Sequence, residues 1–422
     1  MKGWLNSILR PQGAAMQKRI LFVDDEPQVL EGLRRMLRSQ VRDWELHFAP
    51  GGAEALELMA TTPVDVVVSD MRMPGMDGVR LLTEVKKRYP HAARLALSGH
   101  MDERMIMDST KVAHQYLTKP CNAEKLVDVI QRLLALRRYL AAEGLACLTS
   151  SLEHIPSLPK LYMAIQEELT SPLCSLKKIG EIISTDVGMS AKILQLVNSS
   201  FFGMYTKVTS PAQAVNLLGT ETVKALVLHV QVFSQFDPKK CPRFSLARLS
   251  RHGLLTATLA KRICVEEKAS KDVQDDAFLA GILHDVGKLL FAVNCPTLYD
   301  EVLELTADKD IPLTTVEEDA LGTDHARLGA YLLGLWGMAD PVVEAIAFHH
   351  RPGLCAMSGF IPLTALHTAN ALIVQLQPEG PTGKPEGLDA DYLASCGLTD
   401  RIPVWEEMAR DLFGMTEVEG AT

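Results

Sequence analysis

A doubly wound α/β domain with a five-stranded parallel sheet, followed by an all-α domain, is the architecture this sequence predicts. Three observations predict it. Short β-branched runs alternate with helical periods as far as about residue 142. From Ile155 on, strand signals vanish and the helical period dominates. The polar residues of the first third fall at the ends of the predicted strands, where open parallel sheets place their chemistry. A chain of 422 residues is long enough for two or three domains.

The elements follow in order. Residues 1–17 have no continuous apolar stretch and read as a flexible tail, with Met16 an alternative start. Arg19 to Val23 is a strand ending in Asp24-Asp25-Glu26, and Pro27 opens a helix with Val29, Leu30, Leu33, Met36 and Leu37 at helical spacing. Glu45 to Ala49 is a second strand and Gly52 to Ala60 a helix. Asp65 to Ser69 is too short for a helix and apolar enough for a strand buried on both faces, with Asp70 at its end. Pro74, Gly75 and Gly78 break the chain before a helix from Val79 to Arg88. Arg94 to Leu97 is a fourth strand ending in Ser98, a helix covers 102–115, and Gln115 to Leu117 is a fifth strand followed by Lys119-Pro120. A helix from Ala123 to about Ala142 closes the unit. Its apolar face (Leu126, Val127, Ile130, Leu133, Leu134, Leu136) either packs on the sheet or, through its C-terminal extension, carries a signal onward or pairs two protomers.

Asp24, Asp25, Asp70, Ser98 and Lys119 therefore lie on one sheet edge. One such residue is noise; five make a site. The chemistry they suit is phosphorylation of a carboxylate. Clustered hard oxygens bind Mg²⁺, Asp70 is the nucleophile, Lys119 is a point charge for a phosphoryl oxygen, and the Ser98 hydroxyl donates to another.

DD at 24–25, SDMRMPGMDG around Asp70, Ser98 and KP at 119–120 together resemble the receiver domain of bacterial two-component response regulators, over 18–140. The resemblance implies a flavodoxin/CheY-like fold and an Asp70 that accepts phosphate from a sensor histidine kinase. It also implies Mg²⁺ held by Asp24, Asp25, Asp70 and the Arg72 backbone carbonyl, a switch aromatic at Tyr116, and a cis Lys119-Pro120 bond.

Residues 141–154 read as a linker, and 155–376 as an all-α domain. Two prolines precede the helix of IPSLPKLYMAIQEEL, Asp186 is an N-cap, Gly203 and Gly219 mark breaks, and Asn198-Ser199-Ser200 reads as a capping feature. The chemical interest lies in SRHGLL, GILHDVGKLL, TDHARLGAYLL and AIAFHHRPG. On one helix, His284 and Asp285 diverge by about 100°, so each reaches a metal held between helices. His252, His325, His349 and His350 supply further ligands, and Lys288, four positions from His284 on the same face, meets an anionic substrate. The spacing is not that of a short metal finger.

These stretches resemble the HD superfamily of metal-dependent phosphohydrolases, and NSSFFG and AVNLLG in their contexts resemble its HDOD (HD-related output) branch, over about 150–375. HDOD domains are generally regulatory, many having lost the catalytic residues. This chain keeps HDVGK and its histidines, but carries Asn370 where the HD pattern ends in a metal-binding Asp, and no GYP follows His349-His350. A Zn, Fe or Mn site of reduced affinity is the expectation. Residues 377–422 read as a Pro/Gly-rich linker, a short helix over Pro403 to Phe413, and a tail from Thr416 to Thr422.

Composition narrows the function classes. A net charge of −9 argues against nonspecific binding to nucleic acid or an anionic membrane. No helix-turn-helix with a basic recognition helix is visible, so direct DNA binding is disfavoured. Eight scattered cysteines suit reduced thiols in a cytoplasmic protein, and no apolar run approaches the roughly 20 residues of a membrane span. The leading reading is a signalling switch whose partners are a histidine kinase, a downstream signalling protein and, through pairing, a second copy. Its rival is a phosphorylation-gated phosphohydrolase acting on a nucleotide or cyclic dinucleotide.

Overall fold

The computed structural model describes residues 18–38, 41, 43–89, 92–98, 112–119, 123–142, 159–171, 174–199, 202, 208–233, 240–308, 311–355, 357, 359–377 and 386–420. They form two compact units, each described by itself. The tail 1–17, Pro120, the linker stretch 143–154, Ser200 and Gly203 lie outside the described residues. So does most of the helix read over 102–115, and residues 112–114 are a turn rather than its last stretch.

In the first unit β1 (Lys18–Val23), α1 (Pro27–Arg38), β2 (Trp44–Ala49), α2 (Gly52–Thr61), β3 (Val66–Asp70), α3 (Gly78–Arg88), β4 (Ala93–Ser98), β5 (Gln115–Thr118) and α4 (Ala123–Ala142) follow one another. All pairings are parallel, in the order β2-β1-β3-β4-β5, which is the doubly wound sheet the alternation predicts. β3 is buried along its whole length, as a β-branched central strand covered on both faces must be. It runs one residue later than its sequence suggests, so Asp70 is itself the last strand residue. Val23 pairs with Ser69, which sets Asp24 beside Asp70. The turn after β3 folds back tightly: a Cβ at Gly78 would run into the Asp70 carbonyl oxygen, and Asp77 caps α3 by accepting from the Arg80 amide at 2.8 Å.

The second unit is all helical among the described residues. Its order is α5 (Lys160–Thr170), α6 (Leu176–Ser184), α7 (Val187–Val197), α8 (Pro211–Leu218), α9 (Thr220–Phe233), α10 (Leu246–Glu266), α11 (Lys271–Leu283), α12 (Val286–Asn294), α13 (Pro296–Asp308), α14 (Leu313–Leu321), α15 (His325–Leu335), α16 (Asp340–Phe348), α17 (Pro362–Leu376), α18 (Ala390–Ser395) and α19 (Ile402–Gly420). Serine or aspartate side chains start many of these helices. Asp186 accepts from Met189 N at 2.9 Å, and Ser175, Ser210, Ser245 and Ser270 do the same for α6, α8, α10 and α11. Asn198 is the capping residue its position suggests; its amide nitrogen donates to Leu194 O and Val208 O, and its oxygen accepts from Val208 N.

Two expectations need correction. His284 and Asp285 do not share a helix: His284 is the C-cap of α11 and Asp285 the N-cap of α12. The break lets α12 approach the start of α15 so closely that a Cβ at Gly287 would collide with the His325 carbonyl oxygen. Nor do residues 377–422 end in a short helix and a frayed tail. α19 runs to Gly420, and its Trp405, Ala409 and Leu412 are buried with Leu255, Leu259 and Ile263 of α10 and Ala369 and Leu372 of α17. Apolar residues at helical spacing bury against a face that α10 and α17 leave open.

One buried histidine stands apart from the motifs. His229 of α9 shares a 2.8 Å hydrogen bond with Ser250 Oγ, and burial pushes its imidazole down to about 4. A depressed folded pKa makes the unfolded chain the better proton binder, so the stability this residue contributes is lost as pH falls from about 6.5 toward 4. His229→Gln is expected to flatten the pH dependence of the urea-unfolding free energy between pH 7 and 5, by about 2 kcal/mol. Equal slopes in both proteins would refute it.

Candidate functional site

The sheet edge of the first unit gathers three of the expected side chains. Lys119 Nζ donates to Asp24 Oδ2 at 2.7 Å and to Asp70 Oδ1. Asp24 and Asp70 are both buried, while Asp25 is half-buried. The Arg72 amide donates to Asp70 Oδ2 at 2.6 Å and the Glu26 amide to Asp24 Oδ1 at 3.0 Å, so each carboxylate is oriented by the loop that follows its strand. Burial alone would lower the Lys119 pKa, but the hydrogen bonds it donates to Asp24 and Asp70 outweigh it and the ammonium is held above its ordinary range. Ser98 ends β4 and Tyr116 lies in β5; their side chains are outside the described residues.

The second unit brings every residue of the histidine set to one buried pocket. His252 comes from α10, His284 and Asp285 from the α11–α12 break, His325 from the first position of α15, His349 and His350 from the end of α16, and Asn370 from α17. Asp285 sits at the centre. Its Oδ2 is 3.4 Å from His284 Nε2 and 3.9 Å from His252 Nε2, and its Oδ1 is 3.2 Å from His325 Nε2. His325 Nε2 is in turn 2.9 Å from His350 Nε2, and the His349 and His350 rings lie 3.9 Å apart. Two overlapping groups have their ligand atoms within 4.8 Å of one another: Asp285, His325, His349 and His350, and His252, His284 and Asp285. Lys288 donates to Asp285 Oδ2 at 2.7 Å, three residues away, the same oxygen that lies 3.4 Å from His284 Nε2.

The outward nitrogens explain the arrangement. Each of the five imidazoles turns Nδ1 away from the pocket to an acceptor. Four are hydrogen bonds, to Gln377 Oε1 for His252 (3.1 Å), Gly281 O for His284 (2.7 Å), Glu317 Oε2 for His325 (2.6 Å) and Ile346 O for His349 (2.7 Å); the fifth, Glu386 Oε2 against His350, is an ion-pair contact. With Nδ1–H donated outward, His284 and His349 present their Nε2 lone pairs inward, while His325 Nε2 and His350 Nε2 pair with each other and His252 Nε2 pairs with Asn370 Oδ1. Three of the inward atoms, His284 Nε2, His349 Nε2 and Asp285 Oδ1, are buried without a hydrogen-bond partner. Orphaned lone pairs of this kind fit a divalent first-row metal.

Electrostatics follow the same geometry. Burial pushes His252 down to about 4, and His349 and His350 well below the ordinary imidazole range. Burial would also lower His325, but the Glu317 carboxylate raises it to about 9. Burial would raise Asp285, yet His284 and Lys288 hold its carboxyl well below the usual range. Glu317, Gln377 and Glu386 escape sequence reasoning. Glu317 sits in an ordinary helical pattern eight residues before His325, and the other two flank a Pro/Gly stretch that reads as a linker.

Residues 20–131 match the response regulator receiver domain family, and residues 155–352 match the HDOD domain family. An uncharacterized protein of Treponema pallidum is 28% identical over 209 residues, 49% of this chain and 39% of its own. The hydrogenase transcriptional regulatory protein HoxA of Cupriavidus necator is 35% identical over 131 residues, 31% of this chain and 25% of its own. The chain thus spans well under half the length of these curated relatives. Among solved structures, an HDOD domain protein of unknown function from Geobacter sulfurreducens is 20% identical, with a TM-score of 0.53, over 71% of this chain and 96% of its own; that likeness is one of fold. No helix among the described residues is long and apolar enough to cross a membrane. The chain has the architecture of a two-component response regulator, a receiver domain followed by an HDOD domain.

Proposed function

We propose that this chain is a cytoplasmic phosphorelay switch in which a sensor histidine kinase phosphorylates Asp70 and the change passes to the HDOD domain, which acts on a downstream signalling protein. The observation that carries the reading is the Lys119 ammonium bridging Asp24 and Asp70 at the C-terminal edge of the sheet. An Asp70 carboxylate oxygen attacks the phosphoryl phosphorus as the bond to the donor nitrogen breaks, and the donor imidazole leaves with the electron pair. Lys119 then meets a phosphoryl oxygen instead of the bare carboxylate, and the Ser98 hydroxyl donates to another. Asp24, Asp25, Asp70 and the Arg72 backbone carbonyl would hold Mg²⁺, which when bound offsets charge on the phosphoryl oxygens. Ser98 and Tyr116 then relay the change.

The test is amide exchange of the full chain with and without acetyl phosphate and Mg²⁺. Phosphorylation is expected to alter exchange in residues 98–120 and also beyond residue 159. A phosphorylated protein whose exchange is unchanged beyond residue 142 would refute transmission to the HDOD domain.

A second reading has its own support in the five inward Nε2 atoms around Asp285. It is a metal-dependent phosphohydrolase, with Lys288 facing an anionic substrate. The pocket for Zn, Fe or Mn is lined by His252, His284, Asp285, His325, His349, His350 and Asn370, which offer two overlapping ligand groups; the metal when bound supplies Lewis acidity. Asn370 brings a neutral amide where a carboxylate would offset charge, so a Mn²⁺-loaded sample is expected to turn over cyclic dinucleotides slowly or not at all. Robust turnover that disappears in Asp285→Ala would establish the hydrolase.

A further inference from the structure

The two halves of the histidine pocket are not electrostatically equal. Resting on the reading of this pocket as a metal centre, we propose that a single divalent metal binds in the half built from Asp285 Oδ1, His325, His349 and His350, that the His252/His284 half stays empty, and that Glu317 and Glu386 are the positioning residues that make the difference.

The first half has three imidazoles and one carboxylate oxygen. Two of its imidazoles are backed by carboxylates. His325 Nδ1 donates to Glu317, which also accepts from the His325 amide at 2.9 Å and from Tyr299 OH at 3.0 Å, so the acceptor is fixed by three donors. His350 Nδ1 meets Glu386, which is held on its other oxygen by Thr314 Oγ1. A carboxylate behind an imidazole fixes the tautomer, raises the basicity of Nε2 and adds negative charge around a cation. The third imidazole, His349, has its Nε2 buried and free of any hydrogen bond.

The second half has two imidazoles, backed by neutral oxygens of Gln377 and Gly281. His252 Nε2 is engaged with a neutral amide, 2.9 Å from Asn370 Oδ1, as His325 Nε2 and His350 Nε2 are with each other in the first half, so what separates the halves is the outer charge. The oxygen this half would share, Asp285 Oδ2, accepts from the Lys288 ammonium at 2.7 Å. A cation on the ligand oxygen opposes a second cation there, and no outer carboxylate compensates. Only the central Asp285 is common to both halves, so the first metal to bind also draws on the one shared negative ligand.

Glu386 gives the inference a reach beyond the domain boundary. It lies past the last residue of the HDOD match, at 352, in the segment tied down again where the Asp389 amide donates to His367 Nε2 while His367 Nδ1 donates to the His349 carbonyl. The C-terminal segment therefore meets His350 directly through Glu386 and the His349 carbonyl only through His367.

The experiment titrates the metal-free full chain with Co²⁺, following the d–d absorption and the bound cobalt by elemental analysis. One cobalt per chain is expected, with His252→Ala leaving stoichiometry and spectrum unchanged. Glu386→Gln, which keeps its shape and the Thr314 contact, should weaken binding by about 10–100-fold without changing the stoichiometry. Lys288→Met combined with Asn370→Asp should raise the stoichiometry to two. Two cobalt ions in the unaltered chain, or loss of the single ion in His252→Ala with retention in a folded His349→Ala, would overturn the one-sided assignment while leaving the metal centre standing. No cobalt in the unaltered chain or in the double variant would overturn the metal centre itself, and the assignment with it.

Discussion

Asp70→Asn is expected to reduce phosphoryl labelling by acetyl phosphate and Mg²⁺ to background, with the fold intact. Among the described residues, Asp70 is the one carboxylate that both ends a fully buried central strand and meets the Lys119 ammonium beside Asp24. An amide of the same shape is no nucleophile toward phosphorus at neutral pH, so the loss is chemical. Lys119 keeps its 2.7 Å bond to Asp24 in the variant, which is why folding should survive. Intact-mass analysis reads the phosphoryl group directly, and circular dichroism reads the fold. Labelling of the asparagine variant at the wild-type level would place the acceptor elsewhere.

The second large effect is structural. Trp405→Ala is expected to destabilise the HDOD unit by about 3–5 kcal/mol, the range for removing a large aromatic side chain from a packed core. Trp405 is completely buried, and its indole nitrogen donates to Glu267 Oε1 at 3.0 Å, an acceptor that Arg401 Nε also uses at 2.7 Å. Truncation therefore opens a cavity against α10 and α17 and leaves Glu267 with one donor fewer. Equilibrium urea unfolding measures the difference. A loss below about 1 kcal/mol would mean that α19 is a detachable appendage.

What the sequence reveals and conceals here follows from the range of the interactions. Val66 to Val68 announce a buried strand because β-branched residues in a short run have few other uses, and the polar edge residues follow from the strand ends. The histidine set is legible as residue types on separate helices. The break at His284 and Asp285 is not, because no proline or polar cluster interrupts the apolar period of GILHDVGKLL; Gly287, the only signal, reads equally well as a small helix residue. The outer acceptors are concealed for a different reason. Gln377 is 125 residues from His252, and Glu386 follows a Pro/Gly run whose composition signals a loop and says nothing of where the loop returns. The C-terminal helix reads as shorter than it is because its partners, α10 and α17, are far away in the chain.

The break between α11 and α12 has a consequence for what Asp285 does with its own helix. An aspartate at a helix N-cap ordinarily folds its carboxylate back onto the exposed amides of the first turn, a bond worth about 1 kcal/mol. Asp285 occupies that position and makes no such bond; its oxygens face the imidazoles and Lys288. α12 thus begins with its first amides uncapped by the residue best suited to cap them. The same turn brings the electronegative end of α11, at His284, against the electropositive end of α12. Two opposed helix poles meet at one dipeptide, and the carboxylate that would have settled the local field is lent instead to the centre of the pocket.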